Sequence, residues 1–431
     1  MQHLIELLYA KFLQSNGVSI DTRSLKEGQM FLAFKGPNFN GNLYARQAIT
    51  AGASYAVIDD PQFTIKGRTI LVDDTLEALQ ALARFHRARL RCPFLGITGS
   101  NGKTTTKELV SAVLQKKFII YATRGNLNNH IGVPLTILEI NPQTEFAIIE
   151  MGASAVGEIA LLSDIARPTM GMITNIGRAH TETFGGVEGV IRGKSELFDF
   201  LRKHDGKAFV NQKDKVLQNM TKRFDDPVTY PGEDMELLRA DPFINYRAAG
   251  KSYDTRLIGS YNFPNMAAAV AVGRYMGVDE NAIHEAISNY SPDNNRSEIT
   301  ENKVSGNVLV KDAYNANPDS MKAAIENFAE MSGYKVAILG DMNELDNPEE
   351  AHAELGKLLE RLEIDEVIFC GDLTKTAYEN CRNSIRFDKV QEITEYIGQQ
   401  NWKNSKILLK GSRSIGLEKL FPILEGKGTS E

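Results

Sequence analysis

The chain is poor in cysteine: Cys92, Cys370 and Cys381 are its only three in 431 residues. A sparse, odd-numbered set excludes a disulfide framework and fits a reducing compartment. No stretch approaches the roughly 18 consecutive apolar residues that a membrane-spanning helix needs. The opening residues, MQHLIELLYAKF, carry no basic stretch followed by a long apolar run, so no secretory leader is expected. Positive charge is not in excess either. The net charge of −6 gives no electrostatic reason to expect a nucleic acid or an anionic membrane as partner. Also missing is any Ser-His-Asp set or reactive cysteine arrangement suited to covalent catalysis.

What is present is ordinary for a soluble globular protein, with 42% hydrophobic and 24% charged residues. Single cores rarely grow beyond about 250–300 residues, so two or three domains are expected. Patterning divides the chain into three α/β parts. Residues 1–83 mix short strands (QMFLAF, YAVIDD) with helices, and the helical stretch TLEALQALARFHRARL bridges into the next part. Residues 84–296 alternate strands and helices. Runs such as FLGIT, EFAIIEMG and TMGMITNIG are apolar throughout, as suits strands of a mostly parallel sheet buried on both faces. Residues 297–431 restart the alternation with NVLVKDAY, KVAILGDM, EVIFCGD and KILLKGS, which predicts a Rossmann-like domain.

The chemistry concentrates at ITGSNGKTTTKELV, Ile97–Val110. Gly102-Lys103-Thr104 supplies the second half of a phosphate-binding loop, G-x-x-x-x-G-K-[ST]. The first glycine of that pattern is displaced, since Ile97 stands there with Gly96 and Gly99 on either side. Gly99 and Gly102 still let backbone N–H groups turn inward towards phosphate oxygens. A helix starting near Thr105 adds its positive end. Lys103 would meet the β/γ-phosphates and the Thr104 hydroxyl a Mg²⁺ ion.

Further on, Glu150, His180 and Lys194 fall at or beyond predicted strand ends. Ligands gather at the carboxyl ends of strands in an open parallel sheet, so Glu150 and the His180 loop should face the phosphate crevice. Each has a plain structural alternative: a helix-cap partner for Glu150, a satisfied loop histidine for His180, and a surface charge for Lys194 on a helix beginning near GKSELF.

TGSNGKTTT, TNIGRAHTETFG with a lysine soon after it, and the collinear segments NLNNHIGVPLTIL, KDAYNANPDSMKAAI, AILGDMNELD and LLKGSRSIGLE resemble the Mur ligases, ATP-dependent amide-forming enzymes of peptidoglycan precursor synthesis. SIDTRSLKEGQMFLAFKG resembles the nucleotide-sugar-binding domain of some members. The resemblance implies an ATP-dependent ligase that joins UDP-MurNAc-tripeptide to D-Ala-D-Ala through an acyl phosphate. A cytoplasmic monomer is expected, since the sparse cysteines fit a reducing compartment and no exposed amphipathic stripe demands a dimer. The resemblance also implies triphosphate binding by Gly99, Ser100, Asn101, Gly102, Lys103, Thr104 and Thr105. Asn262 would meet adenine, with Arg296, Asp312 and Tyr314 completing the nucleotide site. Thr104, Glu150, His180 and Lys194 would serve two Mg²⁺ ions, Lys194 as its carbamylated form, and Lys103, Lys194 and His180 would carry the catalysis. Thr22, Arg23 and Ser24 match the uridine end. Asn126, Asn128, Asn129, Asn315 and Asn317 would face substrates. The chain departs from the family pattern at Asn40, Asn42, Arg178, Ser195 and Tyr261. Another ligase of the superfamily, MurE-like or folylpolyglutamate synthetase-like, and a non-enzymatic nucleotide switch remain as alternatives.

Overall fold

The computed structural model describes residues 2–427, so the last four residues of the expected C-terminal domain lie outside the described part. The N-terminal domain carries strands β1 (Val18–Ser19), β2 (Met30–Leu32), β3 (Lys35–Gly36), β4 (Phe39–Asn40), β5 (Tyr55–Ile58) and β6 (Thr69–Leu71). β1, β2, β5 and β6 form one parallel sheet in the order β1-β2-β5-β6, and β3 and β4 form a small hairpin. The expected break after residue 83 falls inside the helix Thr75–Arg87. Leu79, Leu82 and Ala83 of that helix share one core cluster with Met30 and Val57 on one side and Val133 and Ile159 on the other. This helix therefore belongs to both domains, because its apolar stripe is covered from both sides.

The central domain is a six-stranded parallel sheet. Its strands are β7 (Phe94–Thr98), β8 (Ile120–Ala122), β9 (Phe146–Glu150), β10 (Met170–Ile173), β11 (Lys207–Asn211) and β12 (Val228–Tyr230), in the order β12-β11-β10-β7-β9-β8. Every residue of β7 and β9 is buried, as continuous apolar runs require of central parallel strands. The helix after β7 runs Lys103–Leu114, two residues earlier than expected, because Gly102 takes the cap position with φ 76°. Leu109, Val110, Val113 and Leu114 bury its inner face. Burial of each such side chain contributes about 1.5–3 kcal/mol. The helix Phe263–Tyr275 lies against it at close range, and a Cβ on Gly273 would fall 2.6 Å from Val113 Cγ1.

One element of this region departs from βα alternation. β13 (Glu236–Ala240), β14 (Phe243–Ala248) and β15 (Lys251–Ile258) form an antiparallel meander. Its strands alternate buried and exposed residues, as one-sided sheets do.

The C-terminal domain holds β16 (Glu298–Glu301), β17 (Val308–Asp312), β18 (Lys335–Gly340), β19 (Glu366–Cys370), β20 (Ser384–Phe387) and β21 (Lys406–Lys410) in the order β16-β17-β21-β18-β19-β20. All neighbours are parallel except β16 with β17. The expected break at 296/297 lies in the segment between the helix Glu280–Asn289 and β16. Among the described residues, no helix is long and apolar enough to cross a membrane.

Candidate active site

A cleft of about 830 Å³ opens where the carboxyl ends of β7, β9 and β10 face those of β17 and β21. The phosphate-type loop forms one wall and is laced to the segment after β10. Ser100 N donates to Asn175 O (3.1 Å), Asn101 N to Asn175 Oδ1 (3.0 Å), and Thr174 Oγ1 to Asn101 O (2.5 Å). Gly99 is obligatory here. Its φ is 145°, and a Cβ would lie 2.0 Å from Thr174 Oγ1. Gly102 is held similarly, with its would-be Cβ 2.6 Å from Asn265 Oδ1. Lys103 Nζ donates to Gly99 O (2.7 Å) and Ser100 O (3.1 Å). Burial pulls its pKa down to about 8; Glu150 opposes this and Arg296 adds to it.

Glu150 ends β9, 1% exposed. Its Oε1 accepts from Thr104 Oγ1 (3.2 Å) and Asn128 Nδ2 (2.8 Å), while Oε2 is buried with no partner. It caps no helix. A buried carboxylate oxygen left over beside a hydroxyl suits a hard cation, and the chemistry of the pair fits Mg²⁺. Among the described residues no three His, Cys, Asp or Glu side chains cluster to hold a metal. A Mg²⁺ ion here would thus complete its shell with phosphate oxygens and water, as that ion commonly does.

His180 has a left-handed backbone (φ 56°) at the start of the short helix Thr181–Phe184. Its Nδ1 lies 2.8 Å from Glu344 Oε2, off the hydrogen-bonding line, across the domain border. Lys194 sits in the middle of the helix Val187–Lys203 rather than near its start, and it is 1% exposed. A surface charge is therefore excluded. Its Nζ donates to Ala153 O (3.0 Å) and lies 5.0 Å from the Phe184 ring centroid. Burial first, then the charge of Lys103, hold the amine well below the usual lysine range.

The opposite wall comes from the C-terminal domain and the segment that leads into it. Arg296 stacks on Tyr314, 3.8 Å from guanidinium carbon to ring centroid. Asp312 pairs with Lys410 at 2.6 Å. Asn317 caps the helix Pro318–Ala329 and donates to Asn101 Oδ1 (2.7 Å), tying the two walls together. Asn126, Asn128, Asn129, Asn262 and Asn315 also line the cleft, as do Ser100, Asn101 and Thr105. Asn262 Nδ2 is held by Ile258 O at 2.9 Å.

Thr22, Arg23 and Ser24 are not part of the cleft wall. They form a turn on the N-terminal domain in which Arg23 pairs with Asp21 at 2.6 Å. Sequence reasoning assigns no role to Asn265, Glu344, Lys410 or Arg413, all of which line the cleft. The motifs containing Glu344 and Arg413 stand out in the sequence, but nothing local marks which of their residues turn inward.

Known proteins resemble this chain in sequence and in fold. Residues 14–87 match the Mur ligase family catalytic domain, 97–273 the Mur ligase middle domain, and 295–413 the Mur ligase glutamate ligase domain. The UDP-N-acetylmuramoyl-tripeptide–D-alanyl-D-alanine ligase of Bacillus subtilis is 36% identical over 422 residues, covering 94% of this chain and 92% of the relative. The Escherichia coli protein of the same name is 32% identical, covering 96% and 94%. Among solved structures, MurF from Acinetobacter baumannii superposes with a TM-score of 0.85 at 29% identity, covering 98% of both chains. The Thermotoga maritima MurF ligase in complex with ADP gives 0.83 at 28% identity, covering 96% of this chain and 98% of that one. With three domain matches in order along its length and a relative 36% identical over 94% of it, the chain belongs to the Mur ligase family.

Proposed function

We propose that this chain is an ATP-dependent ligase that joins a carboxylate of UDP-MurNAc-tripeptide to the amino group of D-Ala-D-Ala. The observation that carries this reading is the facing of the Gly99–Thr105 loop by Arg296, Asp312–Lys410 and Asn317 across one cleft. The names and near-complete coverage of the relatives support the choice of substrates. Such chemistry consumes ATP and a UDP-linked sugar, and we place it in the cytoplasm.

A carboxylate is a poor electrophile, so it must be activated. Its oxygen bonds the γ-phosphorus of ATP as the bond to the β-phosphate oxygen breaks and ADP leaves. The amine nitrogen then bonds the acyl carbon, the carbon–oxygen bond to phosphate breaks, and the nitrogen sheds a proton. No enzyme nucleophile is needed. Lys103 and Arg296 offset charge on the phosphoryl group in flight. Thr104, Glu150 and His180 would hold Mg²⁺, which supplies charge neutralisation at the phosphates. Closure of the cleft between the domains would keep water from the acyl phosphate. The Thr22–Ser24 turn would serve the uridine end of the substrate.

The test is phosphate release and product mass with ATP, Mg²⁺, UDP-MurNAc-tripeptide and D-Ala-D-Ala. Phosphate should appear with both acceptor and dipeptide present, and the product mass should equal their sum less one water. Steady ATP hydrolysis indifferent to both would favour a nucleotide switch instead. The loop makes a second expectation. Gly99→Ala forces a side chain into left-handed backbone, a strain of about 1–3 kcal/mol, and it presses on Thr174. ATP binding should weaken by about 10-fold or more in a calorimetric titration. Unchanged affinity would mean that this loop does not hold the nucleotide.

A further inference from the structure

The segment joining the central and C-terminal domains is shaped around Arg296. Asn295 (φ 57°) and Ser297 (φ 54°) flank it, both left-handed and neither glycine. Such backbone persists only where the surroundings impose it, and it clusters at functional sites. The restraints are visible on both sides. Before Arg296, the carboxylate of Glu108 accepts from Tyr290 Oη (2.5 Å) and twice from Asn294 Nδ2 (2.8 and 2.9 Å). Asn294 donates in this way while its own Oδ1 stays buried without a partner. After Arg296, Ser297 Oγ shares a hydrogen bond with Tyr261 Oη at 2.9 Å, and Asn295 N donates to Glu298 Oε2 at 3.2 Å.

Glu108 does not line the cleft. It lies on the helix Lys103–Leu114, just past the first turn that follows the phosphate loop. A glutamate on such a helix has no need of two donor groups from one linker. We propose that Glu108 is a positioning residue: it fixes the linker so that Arg296 stands over Tyr314 and points at the nucleotide's phosphates. The inference rests on reading the cleft as the ATP site. Its consequence is mechanical. The phosphate loop and Arg296 are anchored to the same helix, so they keep a fixed register.

The test compares Glu108→Ala, Glu108→Gln, Arg296→Ala and the Glu108→Ala/Arg296→Ala double variant by calorimetric titration with ATP and with ADP, then by turnover. Glu108→Ala and Arg296→Ala should each weaken ATP binding by about 10-fold, the scale of one charge-assisted hydrogen bond. ADP binding should change less, since Arg296 reaches the terminal phosphate. Turnover should fall about 10- to 100-fold in Glu108→Ala, as for a group misplaced by about 1 Å. Glu108→Gln keeps an acceptor and should recover part of both. The double variant should be no worse than Arg296→Ala alone, because what Glu108 positions is then gone. Should Glu108→Ala fail to fold, Tyr290→Phe combined with Asn294→Ala removes the same restraint and is read identically. Equal weakening of ATP and ADP, or losses that add in the double variant, would overturn the proposal. The titrations need neither acceptor nor dipeptide, so their outcome is independent of whether the ligase substrates are assigned correctly.

Discussion

Lys103→Ala is expected to lower turnover by at least about 10²-fold, the scale of removing one donor aimed at developing charge in a transition state. The structure explains why this lysine in particular should matter. Its Nζ is drawn back onto Gly99 O and Ser100 O, the carbonyls of the loop that the phosphates would occupy. Burial lowers its pKa to about 8, so the ammonium still predominates near neutral pH, and the arrival of phosphate oxygens would favour the charged form further. The loop around it is held by Thr104 on Glu150 and by the Asn101–Asn175 contact. Arginine should not substitute well either, because its larger planar fork does not fit where a compact ammonium sits against the loop. Single-turnover phosphate release with both substrates present is the direct measurement. A Lys103→Ala chain that turns over at close to the unaltered rate would remove the loop from the mechanism.

The features of the site legible in the sequence are those in which neighbours in the chain are neighbours in space. The phosphate loop is contiguous, so its glycines, Lys103 and Thr104 stand out together. Glu150 is readable because it ends an apolar strand. The partners that arrive from elsewhere are not. Asn265 closes on Gly102 from the helix Phe263–Tyr275, and Glu344 meets His180 from another domain. Element boundaries shift for local reasons. A helix is expected to begin near GKSELF, yet it starts at Val187 and runs through Gly189 and Gly193. A Cβ on Gly189 would lie 1.8 Å from Phe184 O, and one on Gly193 2.4 Å from Phe184 Cε1. These glycines mark close approach rather than a break. The β13–β15 meander is hidden by the βα rhythm on either side of it, although its own alternation has period two. β20 is short and half-buried, with no continuous apolar run to mark it.

Lys194→Ala is expected to cost at least about 10²-fold in turnover, the upper end for groups that support a metal site. The reason begins with burial. The amine is 1% exposed, and its hydrogen-bond acceptor is the neutral carbonyl of Ala153. Desolvation and the charge of Lys103 push its pKa down, and the attraction of Glu158 and Glu196 does not offset them. A Mg²⁺ ion nearby would push in the same direction. The neutral amine is the form that attacks CO₂: an N–C bond forms as one C=O π bond opens onto oxygen, the nitrogen sheds a proton, and the neutral amine becomes an anionic carbamate. We propose that Lys194 acts in that form, since a carbamate would be held by the same positive charges that disfavour the ammonium. The readings separate by chemical rescue. Acetate or formate added to Lys194→Ala should restore part of the rate by standing in for the carbamate oxygens, and ¹³C-bicarbonate should label the unaltered chain at a lysine in a carbon-detected NMR spectrum. A variant that keeps most of its activity would strip Lys194 of any catalytic part. An inactive variant that neither carboxylate rescues, together with an unlabelled chain, would leave the neutral amine itself as the working group and exclude the carbamate.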